Sequence, residues 1–280
     1  MLLFCGAAAA RFPNSLVSRD TAGKNSRLFA LTTISGKTTL AVYGKERSIL
    51  ISVVLPQRAT TLCVSKSHVV VAHTGGTLSL YSHKLVLQKK TSSVPILALV
   101  CSDSHFYTGG KSIKVVKWSY SPFAPVKVMG EHASFVNNLF LHPRGGLLSV
   151  SWDHEAVWFA TDGKKTRFPF PSTPVHAVVS EVHNTLAIIT DAQRLRFFTL
   201  EGNKRNWKRS PHSRCLATSG DTLLVGLANG FIDRYLFKKK RFHKTDRLSV
   251  LPRSPIDALL PLWDGWWAIS SKGTLHFKKF

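Results

Sequence analysis

Seven times along its length the chain repeats one phrase: a run of β-branched and aromatic residues, a short turn rich in Gly, Asp or Asn, and a second run in which apolar and polar residues alternate. The copies are RLFALTTISGKTTLAVYG from Arg27, HVVVAHTGGTLSLYS from His68, HFYTGGKSIKVVKWSY from His105 and GLLSVSWDHEAVWFA from Gly146. They continue with TLAIITDAQRLRFFTL from Thr185, TLLVGLANGFIDRYLF from Thr222 and WWAISSKGTLHFKKF from Trp266. A period of two puts alternate side chains on opposite faces of a strand, and the turn reverses the chain, so each copy reads as a β-hairpin. The aromatics that end the second runs, Tyr43, Tyr81, Trp118, Trp158, Phe198 and Tyr235, recur about every 37 to 40 residues. A lone hairpin has almost no core, and repetition at this period lets neighbouring units bury each other's apolar faces.

A further apolar run precedes each later hairpin: PQRATTLCVS, SVPILALVCS, FVNNLFLHP, PVHAVVSEV, SRCLATSG and PIDALLPL. Set inside the hairpin, such a run is the innermost strand of a four-stranded blade. The fold class is therefore all-β, a seven-bladed WD40-type β-propeller forming a closed ring. No linker or low-complexity segment divides the chain, so residues 1–280 read as a single propeller domain. Residues 113 to 118 end one blade, Ser119 to Val128 cross to its outer strand, and GEHASFVNNLF enters the next. WD40 repeats place a Gly-His step before the inner strand and a Trp-Asp step at the end of the third; Gly130-Glu131-His132 and Ala156-Val157-Trp158 stand there. Ring closure by shared strands predicts that LLFCGAA pairs as an outer strand beside TLHFKKF. The competing reading of the amino-terminal stretch, with Arg11 and Arg19 and no acid before Asp20, is an organelle transit peptide.

Lys and Arg number 38 against 15 Asp and Glu, a formal charge of +23. Such an excess repels itself unless an anionic partner relieves it, which points to nucleic acid or a nucleic-acid-bound complex. An anionic membrane surface fits less well, because the charge is scattered among strands rather than gathered on a basic amphipathic helix. No apolar run reaches the roughly 18 residues of a membrane-spanning helix, so no membrane association is expected. The basic clusters are Lys89-Lys90, KKTR from Lys164, KRNWKR from Lys204 and KKKRFHK from Lys238, all read as connections between strands. Trp207 within KRNWKR has two readings, a base-stacking platform or a cover for the neighbouring blade. KKKRFHK reads as a nuclear-import sequence or as a solvated turn. Cys5, Cys63, Cys101 and Cys215 lie far apart with no CxxC pair, which predicts reduced, packed thiols in an intracellular protein rather than zinc or disulfides.

Catalytic motifs are missing from the sequence. SGKTT at Ser35 to Thr39 lacks the first glycine of a phosphate loop, since Leu31 stands there, and it sits in a hairpin rather than before a helix. There is no G-x-S-x-G elbow, HExxH helix or GxGxxG turn. His73, His105 and His132 are read as residues that tie loops by hydrogen bonds, and Asp153, Asp191 and Asp233 as braces of turns or loops. None has a partner at metal-ligand spacing, so no metal is expected.

From Leu28 to Gly163 the order of segments resembles the WD40 non-catalytic subunit of the tRNA (guanine-N7) methyltransferase. That family shows a basic step before the second blade's inner strand, a GDVY-like turn, an EKIRVS strand, a GHxxFVS segment and an LLS…D…W…G blade. Here the matching places hold Arg58, GGTLSLY, KSIKVVK, GEHASFVNN and LLSVSWDHEAVWFATDG. The family's Asp-Arg-Asp-Glu run before its KIRVS strand is replaced by Thr108, Gly109, Gly110, Lys111 and Ser112, and Lys114 stands at the family's Arg. From Pro174 onward the likeness is to propellers in general.

The resemblance implies a non-catalytic scaffold in a heterodimer with a catalytic tRNA (guanine-N7) methyltransferase subunit, together helping to hold tRNA while N7-methylguanosine forms in its variable loop. S-adenosylmethionine would be bound by that Rossmann-type partner, so the propeller itself needs no cofactor. Guanine N7 already carries a lone pair, so positioning is the main demand on catalysis, and an auxiliary subunit suits it. The matched segments place Lys114, Lys117, His132 and Glu155 on the partner-facing side. Phosphate contacts with tRNA fall to Lys164, Lys165, Lys204, Arg205, Lys208 and Arg209, and the location implied is the nucleus. The alternative is a WD40 scaffold subunit of a ribosome-biogenesis complex, suggested by TDRLSVLPRSPIDALLPL from Thr245. A third reading is a propeller that binds acidic peptides across its central face.

Overall fold

The computed structural model describes residues 15–279 apart from 20–26, 35–36, 45–47, 143–144, 181, 239–240, 251–253, 263–264 and 271–274. Its strands form seven antiparallel sheets, each a meander in which sequence neighbours pair. The first blade holds β1 (Ser15–Arg19), β2 (Arg27–Ile34), β3 (Lys37–Tyr43) and β4 (Ile49–Val54). The second holds β5 (Ala59–Val64), β6 (His68–His73), β7 (Thr77–Ser82) and β8 (Leu87–Ser92), and the third β9 (Ile96–Cys101), β10 (His105–Gly110), β11 (Lys114–Tyr120) and β12 (Phe123–Glu131). The fourth is β13 (Val136–Leu141), β14 (Leu147–Ser151), β15 (Glu155–Phe159) and β16 (Lys165–Pro169). The fifth is β17 (Pro174–Ser180), β18 (Thr185–Thr190), β19 (Arg194–Thr199) and β20 (Lys204–Arg209). The sixth is β21 (Ser213–Ser219), β22 (Thr222–Leu227), β23 (Phe231–Lys238) and β24 (Arg241–Ser249), and the last sheet contains β25 (Ile256–Leu262), β26 (Gly265–Ser270) and β27 (Leu275–Lys279).

All seven hairpins and all six inner strands fall where the repeat placed them. Lys37 to Thr39 of SGKTT lie in β3, and Ile34 at the end of β2 pairs with Lys37, which is hairpin geometry. Burial falls from the innermost strand outward: β5, β9 and β13 are buried at every position, whereas β4 and β8 are almost wholly exposed. Inner strands are covered on both faces by neighbouring blades, which is why they read as apolar runs without alternation. Each inner strand lies against the next, and β25 lies against β1. Leu28 and Ala30 of the first blade share a buried cluster with Ile256, Leu259 and Trp266 of the last. The strand expected from LLFCGAA lies outside the described residues. Among those residues no helix is long and apolar enough to cross a membrane.

Polar side chains on the inner strands stitch blade to blade. Thr60 Oγ1 donates to Ile96 O at 2.9 Å, Asn137 Nδ2 to Pro174 O at 3.1 Å, and Arg214 pairs with the buried Asp257 at 3.0 Å. Each bond satisfies a group that burial would otherwise penalise.

Two expectations are corrected. Cys63 and Cys101 are joined by a disulfide rather than reduced, so the cysteines no longer argue for an intracellular compartment. They sit one repeat apart on β5 and β9, adjacent inner strands, so the period that separates them in sequence brings their Cα atoms to 5.4 Å. Cys215 is a buried, packed thiol that donates to Ile256 O at 3.7 Å. The basic clusters, in turn, lie mostly in strands rather than connections, although Lys164 does precede β16 in a connection. Lys89 and Lys90 lie in β8, Lys165 in β16, all of KRNWKR in β20, and Arg241 to Lys244 in β24. These outer strands are mostly exposed and bury only isolated side chains such as Phe168 and Phe242, so no apolar alternation announces them, and charge on the free edge discourages pairing with another chain.

Candidate nucleic-acid interface

The residues expected to face a protein partner gather where the third blade meets the fourth, and the fold engages most of them. Lys114 on β11 is opposite Glu131 on β12, and Nζ lies 3.3 Å from its Oε1. Glu155 on β15 is ion-paired across the sheet with Arg167 on β16. His132 is buried: Nδ1 lies 2.9 Å from Asp153 Oδ2 and Nε2 lies 2.8 Å from Ser149 Oγ. A carboxylate only accepts, so Nδ1 donates to Asp153, and Nε2 bonds to the Ser149 hydroxyl. His132, Asp153 and Glu155 come within 4.8 Å of one another, but both ring nitrogens of His132 already serve this chain. Lys117 is half-buried on β11, between Tyr107 and Lys127.

Asp153 also accepts from the N–H groups of Ala133 at 2.8 Å and Glu155 at 3.0 Å. Burial pushes its carboxyl up, and these bonds with the His132 ring outweigh that and hold it below the usual carboxylate range. The loop-tying role read for His132 and Asp153 is thus visible in the bonds. His73 does similar work, 2.9 Å from Ser79 Oγ and 3.3 Å from Gln57 O. Asp233 differs from its reading: it lies within β23, gripped by Arg247 at 2.6 Å and Lys244 at 2.7 Å, and braces an outer strand rather than a turn.

The replaced acidic run has a packing explanation. Thr108 Oγ1 accepts from Trp118 Nε1 at 2.8 Å inside the blade. A Cβ on Gly109 would stand 2.4 Å from Val136 of the next blade, and one on Gly110 would stand 2.3 Å from Pro95 O. Acidic side chains have no room at those two positions.

Of the residues expected to touch phosphates, Lys164 of the fourth blade and Arg205 of the fifth come together beside Glu201. Lys164 closes the turn into β16, Lys165 is on that strand, and the turn before β20 packs on it, with Gly202 beside Thr166. The Thr199 hydroxyl donates to Glu201, and Arg205 and Lys164 add positive charge beside it, so this carboxyl titrates below its ordinary range. The fourth and fifth blades thereby present one basic surface. Arg205 lies over the Phe237 ring at 5.8 Å and Lys208 over the Tyr235 ring at 5.3 Å, both reaching the sixth blade. Burial first and Lys244 second pull the Lys208 amine below its ordinary value. Arg209 is exposed at the end of β20. Sequence reasoning passed over Arg194 and Arg196 on β19; their signal was the Arg-Leu-Arg alternation, which puts both on one face.

Neither a protein-family model nor a curated protein sequence matches the chain. Among solved structures it is similar to U3-55K, at 9% identity over 91% of this chain and 92% of that one, with a TM-score of 0.78. It is also similar to the WD40 repeats of RRP9, at 10% identity over 95% of this chain and 92% of that one, with a TM-score of 0.75. At such identities the shared property is the fold, a WD40-type β-propeller.

Proposed function

We propose that this chain is a non-catalytic propeller scaffold of an RNA–protein assembly in the nucleus. The observation that carries the reading is the charge of its outer strands. β8, β16, β20 and β24 bring Lys89, Lys90, Lys165, Arg167, Lys204, Arg205, Lys208, Arg209 and Arg241 to the rim of the second, fourth, fifth and sixth blades. A rigid frame that spaces cations in this way suits the phosphates of a folded RNA, which is recognised by shape and charge.

Within that class the ribosome-biogenesis scaffold is the better-supported reading. The fold-level likeness to U3-55K and RRP9 fits it better than it fits the tRNA one. Support for the methyltransferase subunit is thinner because Lys114, His132 and Glu155 are engaged within the third and fourth blades.

The test is ultraviolet crosslinking of the tagged full-length chain in the cells that make it, followed by sequencing of the bound RNA. Crosslinks to pre-ribosomal RNA are the expected result. Crosslinks to tRNA, with N7-methylguanosine lost on depletion, would restore the methyltransferase reading, and the absence of any RNA would overturn both.

A further inference from the structure

Indole surface left in water is costly, and among the described residues Trp207 leaves most of its own there. Trp118, Trp158 and Trp266 are buried, and Trp152, 37% exposed, packs on Phe135 at 5.6 Å. Trp207 is 56% exposed on the outer strand β20, so it covers little of a neighbouring blade. It sits opposite Arg196, and Arg194 sits opposite Arg209. The Arg194 guanidinium lies 5.0 Å from the centre of the indole ring. Cross-strand and diagonal register thus puts three arginines on the same sheet face as one indole, with Arg194 over its ring.

None of the three is neutralised. Among the described residues no carboxylate pairs with Arg194, Arg196 or Arg209, although other arginines find theirs, as Arg167, Arg214, Arg234 and Arg247 do. Arg196 Nε is buried without a hydrogen-bond partner. Burial first, and then the charge of Arg194, pull its guanidinium below the ordinary arginine value. The cluster offers planar donors for an anion and an aromatic face for a flat ring.

We propose that Trp207, with Arg194, Arg196 and Arg209 around it, is a stacking site for one unpaired base of RNA, whose flanking phosphates the guanidiniums hold. This rests on the RNA-scaffold reading and adds to it the class of nucleotide recognised. A paired base has both faces covered by its neighbours, so only a looped-out or single-stranded base fits. Every base has a π-face and stacking does not read base edges, so the site selects unpaired over paired RNA without sequence preference. An acidic peptide would answer the arginines but leave the indole face without a role.

The experiment uses the full-length chain with two RNAs of equal phosphate number: an oligouridine strand carrying one 2-aminopurine, and a fully paired hairpin. Wild type is expected to quench the 2-aminopurine and to prefer the single strand. Trp207→Ala should weaken single-strand binding roughly 5- to 150-fold, abolish the quenching and leave both hairpin affinity and salt slope unchanged. Trp207→Phe should keep most of the affinity. Arg194→Gln with Arg209→Gln should instead reduce the salt slope by about 0.7 for each phosphate no longer neutralised. If Trp207→Ala weakens both RNAs equally, or neither, the stacking site is overturned while the RNA reading stands. If wild type ignores both RNAs and binds poly-glutamate, the RNA reading falls with it.

Discussion

His132 shows how one side chain takes a place that its neighbours in sequence do not reveal. Its partners, Ser149 and Asp153, lie 17 and 21 residues further on, and only the meander of β13, β14 and β15 brings them beneath it. The motif position was legible as a loop-tying histidine, because a Gly-His step before an inner strand is recognisable. The set of partners was not, because it depends on register. Asp153 is the centre of this network, and its carboxyl is held below the usual range. A depressed folded-state value means that the ionised form stabilises the fold fully above the unfolded value of roughly 4 and ceases to as pH falls through the folded one. Asp233, held down by Arg247 and Lys244 against its own burial, has the same sign. Urea unfolding should therefore give a free energy that falls from about pH 7 to 5, because burial resists the protons that His68, His73 and His105 take up once unfolded, and that falls further below about pH 4 as the carboxylates are protonated. Asp153→Asn should cost about 3 kcal/mol at pH 7 and flatten part of that acid limb. Wild-type stability in this variant at both pH values would show that the carboxylate does not brace the loops.

The outer strands are the elements that composition disguised. Inner strands and hairpins were legible because burial on one or two faces writes itself into the sequence as apolar runs or alternation. β20, with the sequence KRNWKR, has no buried face and was mistaken for a loop. One outer strand departs from the basic pattern: β4, ILISVV, carries no charge, and Ile49, Leu50, Ile51 and Val54 are 58%, 55%, 37% and 61% exposed. An uncharged apolar edge is a template for unwanted strand pairing, whereas lysine on an edge suppresses it. Ile49→Lys with Ile51→Lys should leave the unfolding free energy within about 0.5 kcal/mol of wild type, since exposed sites contribute little. Light scattering on heating or concentration should show later onset of aggregation. Onset that does not move would mean that another surface starts the association.

At the scale of the whole molecule, many of the acids are already engaged, and the surplus of base remains. Asp103, Glu131, Glu155, Asp221, Asp233, Asp246 and Asp257 each lie against a basic side chain of this chain. With a formal charge of +23, the free propeller is strained by self-repulsion that only dissolved ions or an anionic partner can relieve. Salt should therefore act in opposite directions on the free and the bound protein. Raising sodium chloride from about 50 to about 300 mM shortens the screening length and should raise the thermal midpoint of the free chain. The same change weakens RNA binding, because the release of counterions is less favourable as salt rises. At low salt, RNA present at about a hundred times its dissociation constant should stabilise the fold by about 2.7 kcal/mol, and that gain should vanish as salt is added. The melting curves with and without RNA should therefore converge from opposite sides. If salt instead lowers the midpoint of the free chain, its stability rests on ion pairs rather than on relief of repulsion, and the basic rim loses its claim to need an anionic partner.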